Sequence, residues 1–130
     1  MSIQLNHTIL AARDARASAG WYAELFGLGS PAHLAPFWQV TTANGVNLDF
    51  IDHDPTEDGE IEPRHLAFLI GEEDFDTIFG KVVERGIDHY ADPHAQHPDE
   101  INHHDGGRGV YFADPDGHWL EIITVPYGGW

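Results

Sequence analysis

Cysteine is absent from the 130 residues. That excludes disulfides and thiol nucleophiles, and it leaves the compartment open, with the cytoplasm as the default expectation. Positive charge is scarce. Six Lys and Arg stand against 22 Asp and Glu, a formal net charge of −16. Such a surface repels phosphate backbones and anionic membranes, so neither nucleic acid nor a membrane is an expected partner. Long apolar runs are also missing; none approaches the roughly 20 residues of a membrane span. The start, "MSIQLNHTIL", lacks a basic segment and reads directly as a strand, so a signal peptide is not expected. What remains is a globular composition, 42% hydrophobic, and length enough for one domain, residues 1–130, with a real core.

Histidine, in contrast, is abundant, with ten residues. It is the commonest metal ligand and the natural acid/base near neutral pH, but only position can give that number meaning.

The chain reads as two similar halves. "LNHTIL" (5–10) alternates like a strand. Asp14 is placed to cap a helix in which Ala17, Trp21 and Leu25 recur every four residues, as do Tyr22 and Phe26, and Gly27 ends it. In the second half "RHLAFLI" (64–70) reads as a strand. The stretch 72–86 follows as a helix, with Phe75, Ile78, Phe79, Val82 and Val83 on one stripe, acids at its start and Lys81 and Arg85 at its end. Gly27 follows His7 by 20 residues and Gly86 follows His65 by 21. Strand-like segments come after each helix: 37–42 and 45–51, then 109–113 and 117–123. Gly45 precedes Asp49 by four residues, as Gly117 precedes Glu121. The expected organisation is two βαβββ modules, about 1–54 and 62–125, joined by the acidic linker 52–63. The second module is lengthened by a polar insert at about 92–108.

Alternation along strands puts His7 on a face with Leu5 and Ile9, an apolar, core-directed row. His65 shares its face with Ala67 and Leu69. Glu121 shares its face with Trp119 and Ile123, and a carboxylate there is unfavourable unless a cation compensates it. Two His and one acid from separate strands make a facial triad suited to Fe(II), Mn(II), Zn(II) or Ni(II), with open positions for substrate. The expected metal ligands are His7, His65 and Glu121. Asp49, the counterpart of Glu121, is a candidate fourth ligand or a local hydrogen-bonding group.

The paired modules, with "LNHTIL", "RHLAFLI" and "YFADPDGHWLEI", resemble the vicinal oxygen chelate superfamily, which includes glyoxalase I, fosfomycin-resistance transferases, bleomycin-resistance proteins and type I extradiol dioxygenases. The resemblance covers nearly the whole chain. It implies an α+β fold: two paired βαβββ modules forming an open, cup-shaped mixed sheet with helices outside, around a divalent metal held by His7, His65 and Glu121. It also implies a homodimer and a small-molecule substrate. The stretch 102–121 satisfies the extradiol-dioxygenase signature through Asn102, His104, Val110, Tyr111, Asp114, Pro115, Gly117 and Glu121, and equally from Ile101 and His103. By this resemblance Tyr111 orients a catechol-like substrate on Fe(II), and His103 or His104 serves as acid/base. Two modules stand where such dioxygenases usually have four, and the acid/base His expected before the second ligand has only His53, in the linker, as a candidate. A glyoxalase-like lyase or isomerase would need Asp49 as a second carboxylate. A thiol transferase would need a cationic site, and Arg108 alone lies near the motif. A bleomycin-resistance-type binder would suit the acidic surface.

Overall fold

The computed structural model describes residues 2–127. The chain divides into two compact units, Met1–Glu62 and Pro63–Trp130.

The first unit contains β1 (His7–Ala12), α1 (Ala15–Phe26), β2 (Ala32–Leu34), β3 (Phe37–Thr41), β4 (Asn47–Asp52) and the short α2 (Pro55–Asp58). Its sheet has the order β1-β4-β3-β2, with β1 parallel to β4 and the other pairs antiparallel. As expected, the Asp14 carboxylate caps α1, accepting from the Ala17 N–H at 3.1 Å. Asp52, at the end of β4, accepts from the Ala15 N–H at 2.8 Å and so ties helix to sheet. The packed helix face matches the expected one in part: Tyr22 and Leu25 are fully buried, as their spacing predicts. Ala15, Ser18, Ala19, Tyr22 and Ala23 are buried, whereas Ala17 is exposed and Trp21 only half-buried. The buried face is thus shared between the large Tyr22 and Leu25 and the small residues beside them, which let the helix lie close to the sheet. Tyr22 is the large anchor, its ring 4.8 Å from that of Phe50, and both are fully buried. Each such side chain contributes about 1.5–3 kcal/mol of burial.

The second unit contains β5 (His65–Leu69), α3 (Glu72–Glu84), β6 (His89–Tyr90), a 3₁₀ turn (His104–Gly106), β7 (Gly109–Ala113) and β8 (Trp119–Ile123). Its sheet repeats the first: β5-β8-β7-β6, with β5 parallel to β8. Phe75, Ile78 and Val82 of α3 are buried, and the Phe79 ring meets His89 edge-on at 5.1 Å. His89 therefore marks the helix-covered face of the sheet, which by alternation also carries Phe112, Val110, Leu120 and Ile122, all buried. Val83 falls outside that contact, 53% exposed.

Among the described residues the fold is thus α+β, two four-stranded mixed sheets, neither closed into a barrel, with three helices. β2 and β6, of three and two residues, supply the third strand that each module needs after its helix. Among the described residues no helix is long and apolar enough to cross a membrane.

Candidate metal and substrate site

Opposite the α3 face, the second sheet carries Ala67, Glu121, Tyr111 and Tyr90 in one cross-strand row, with His65 and Trp119 paired one step along. The Asp-Pro-Asp-Gly turn sets this register. Asp114 Oδ1 accepts from the N–H groups of Asp116 and His118, both at 2.9 Å, and Gly117, at φ 89°, takes the left-handed position that closes the turn. His118 is fully buried, and its Nδ1 accepts from the Arg64 N–H at 3.0 Å. The Trp119 N–H donates to the Arg64 carbonyl at 2.8 Å. These two bonds fix the start of β5, and with it His65.

The His65 ring is then defined by chemistry. Its Nδ1 lies 2.9 Å from the Trp119 carbonyl oxygen. A carbonyl only accepts, so Nδ1 carries the proton and, in the neutral ring, Nε2 is a bare lone pair. That lone pair faces Glu121 Oε1 at 3.1 Å. Two acceptors in this position repel unless positive charge lies between them, from a second proton on His65 or from a cation. The spacing suits a cation. Two ligands at about 2.1 Å from one ion, at right angles, are on the order of 3 Å apart. A backbone carbonyl fixing the tautomer of a ligating His is also the usual outer-shell arrangement.

Glu121 is 1% exposed, as its position between Trp119 and Ile123 predicts. Its donors are phenols. Tyr127 Oη donates to Oε1 at 2.9 Å. Tyr111, itself buried, holds its proton far above the usual phenol range, first because of burial and then through its hydrogen bond to Glu121. Tyr111 is therefore a hydrogen-bond donor at any physiological pH. Its ionisation should be invisible in a native absorbance titration at 295 nm, so wild type and Tyr111→Phe should give superimposable curves up to alkaline unfolding. A lost phenolate step in the variant would refute this. Because the folded-state value is raised, the associated stability is complete below the unfolded phenol's value of about 10 and is lost as pH rises beyond it.

Rings line the same face. Trp119 is near-parallel to Tyr111 (centroids 6.1 Å apart, 15° between planes) and tilted against Tyr90 at 5.8 Å. His65 lies 6.3 Å from Tyr111. Among the described residues, the Trp119 indole N–H is buried without a hydrogen-bond partner, a donor left for a ligand oxygen.

The first sheet holds a matching arrangement. His7 pairs with Asn47, two residues before Asp49, as His65 pairs with Trp119, two residues before Glu121. Asp49 is buried, and the Gln39 amide donates to it at 2.8 Å. Gln39 occupies the register position that Tyr111 has in the second sheet. The His7 Nδ1 contacts Asn6 Oδ1 at 2.8 Å, again leaving Nε2 as the unprotonated nitrogen. One expectation is corrected here. The His7 row does not face the helix: Leu5 is 69% and Ile9 50% exposed, while Leu10 and Ala12 fill the core. The row is apolar because it lies on the sheet's other face, not because it meets α1.

Of the expected residues, the second unit brings together His65, Glu121 and Tyr111, and His7 belongs to the first. Among the described residues no three His, Asp or Glu side chains form a metal-holding group. His103 and His104 are exposed, at the 3₁₀ turn that ends the polar insert. Asn102 anchors this insert, pairing with Gly109 through both backbone groups and donating its amide to the Ala91 carbonyl at 2.9 Å. Arg108 turns away to α3: its guanidinium binds Glu72 Oε2 and Asp76 Oδ1, both at 2.7 Å, and covers the Phe75 ring. His53 binds the Gly59 carbonyl at 2.7 Å and fastens the linker. Sequence reasoning missed His118 and Tyr127. The Asp-Pro-Asp-Gly-His string could have flagged the first; nothing flagged the second.

A sequence model described as Glyoxalase/Bleomycin resistance protein/Dioxygenase superfamily matches residues 4–122. The chain is 28% identical over 129 residues to the metallothiol transferase FosB of Lysinibacillus sphaericus (strain C3-41), covering 95% of this chain and 84% of that protein. It is 28% identical over 122 residues to the glutathione transferase FosA of Serratia marcescens, covering 91% and 78%. Among solved structures, oxidase ChaP-H1 superposes with a TM-score of 0.92 at 52% identity, covering 98% of this chain and all (100%) of that one. With the model spanning nearly the whole chain and both sheets built to one plan, this chain belongs to the glyoxalase/bleomycin resistance protein/dioxygenase superfamily.

Proposed function

We propose that the chain is an Fe(II)-dependent, extradiol-dioxygenase-like enzyme acting on a small catechol-like substrate. The observation that carries this reading is the His65 Nε2 lone pair aimed at the buried Glu121 carboxylate, beside an aromatic floor of Tyr111, Trp119 and Tyr90. His65 and Glu121 would hold the metal, with His7 as the proposed third ligand. Bound Fe(II) would supply Lewis acidity toward two vicinal oxygens and electrons for O2 chemistry. The chain's own groups do the rest. Trp119 and Tyr90 offer faces to a planar ring, and the Trp119 N–H is an available donor. Tyr111 gives its one proton to Glu121 and would orient the substrate by accepting a hydrogen bond from a substrate hydroxyl. His103 or His104 exchanges the proton with solvent, which their exposure permits.

Two alternatives are less well supported. A lyase of the glyoxalase kind needs Asp49 as base, but Gln39 already donates to it. A thiol transferase such as the FosB and FosA relatives is favoured by their similarity over most of the chain. Such a reading would use Arg108 for an anionic substrate, and that guanidinium is engaged with Glu72 and Asp76. The name of a solved structure at 52% identity, oxidase ChaP-H1, points the same way as the aromatic floor. The test is anaerobic reconstitution with Fe(II), followed by O2 uptake against a panel of catechols. Uptake stoichiometric with catechol loss is expected. Turnover of a thiohemiacetal with Ni(II) or Zn(II), and none of a catechol with Fe(II), would reverse the assignment.

A further inference from the structure

The tail beyond β8 reaches back to the site. Tyr127, six residues after Glu121, places its hydroxyl 2.9 Å from Glu121 Oε1, the same oxygen that faces His65 Nε2. The ring is 52% exposed, so core packing does not hold it there. The backbone leading to it does. The Thr124 N–H donates to the Arg108 carbonyl at 3.0 Å, and the Arg108 N–H donates to Thr124 Oγ1 at 2.8 Å. Gly107 lets these segments close, because a Cβ there would lie 2.6 Å from both Thr124 Oγ1 and Val125 Cγ2. Arg108 in turn is clamped to Glu72 and Asp76 of α3. A continuous set of contacts therefore runs from a helix, through Arg108 and Thr124, to the segment that carries Tyr127.

From this geometry we propose that Tyr127 is a positioning residue of the metal site, its hydroxyl fixing the Glu121 carboxylate so that one oxygen stays opposed to His65 Nε2. The proposal rests on the metal-site reading above. A ligating carboxylate is oriented by its own hydrogen bonds, and loss of such an outer partner typically weakens metal binding about 10–100-fold. In a chain of net charge −16, neutral phenols can orient a buried acid without adding a competing cation.

Co(II) titration of the metal-free protein, followed by visible absorption, tests it with wild type, Tyr127→Phe and Glu121→Gln. Tyr127→Phe removes one hydroxyl from a half-exposed ring. It should bind Co(II) about 10-fold or more weakly and shift the ligand-field bands, while the metal-free thermal midpoint stays at the wild-type value. The shifted bands separate positioning of the carboxylate from a general structural role. Wild-type affinity and bands in Tyr127→Phe overturn the role of Tyr127 and leave the metal site standing, provided Glu121→Gln abolishes binding. Wild-type protein that takes up no Co(II) overturns the metal site and this proposal together.

Discussion

Glu121→Gln should lose divalent-metal binding by more than about 100-fold, since outer-shell partners alone account for 10–100-fold, yet the metal-free variant should be at least as stable as metal-free wild type. The two effects have opposite signs for one reason. In the wild type an acceptor oxygen faces the His65 Nε2 lone pair at 3.1 Å, with no proton between them when His65 is neutral. Glutamine has the same shape, carries no charge, and can turn its amide N–H toward that lone pair, while its oxygen still accepts from Tyr127. The repulsion becomes a hydrogen bond, and the anionic ligand is gone. Added metal should then stabilise wild type only, by about 2.7 kcal/mol at a hundred times its dissociation constant. Thermal unfolding with and without metal reads both effects. If metal-free Glu121→Gln were destabilised by more than about 2 kcal/mol, the carboxylate would be a structural hydrogen-bonding group and not a ligand held ready.

Phe112→Ala, in the adjacent strand but on the opposite face, should behave in the contrary way. Phe112 is fully buried, pairs with His89 on one side and Leu120 on the other, and lies on the face that α3 covers. Truncating it removes the ring's burial and leaves a cavity, for a loss of about 3–5 kcal/mol. Against a typical domain stability of about 5–15 kcal/mol, that is a large fraction. The denaturant midpoint should fall with an unchanged slope. A loss under about 1 kcal/mol would mean that α3 does not pack on this face as described.

The face assignments behind these predictions were partly legible in the sequence. Strand alternation placed Glu121 with Trp119 and Ile123 and His65 with Ala67 and Leu69, and the sheet keeps both sets. Alternation gives parity but not direction. His7 was correctly grouped with Leu5 and Ile9, yet that face is exposed, since apolar residues line both sides of β1. Periodicity within α1 was legible only in part: Tyr22 and Leu25 mark the contact, but Ala17 and Trp21 do not, and small residues at 15, 18, 19 and 23 complete it. β2 and β6 are too short to leave an alternating pattern. The tautomer of His65 depends on a carbonyl 54 residues away, and Tyr127 reaches Glu121 from an irregular tail. No local pattern encodes either.

The matched registers of the two sheets carry a consequence for redesign. Each unit presents a socket of one imidazole and one acid at the same two-residue offset, and each socket is supported by its own core. In one, a phenol attends a glutamate; in the other, an amide attends an aspartate one carbon shorter. Substitutions at positions 39 and 49 can therefore be made while the hydrogen bonds that orient His65 and Glu121 are left intact, so the two imidazole–acid pairs can be altered independently of each other.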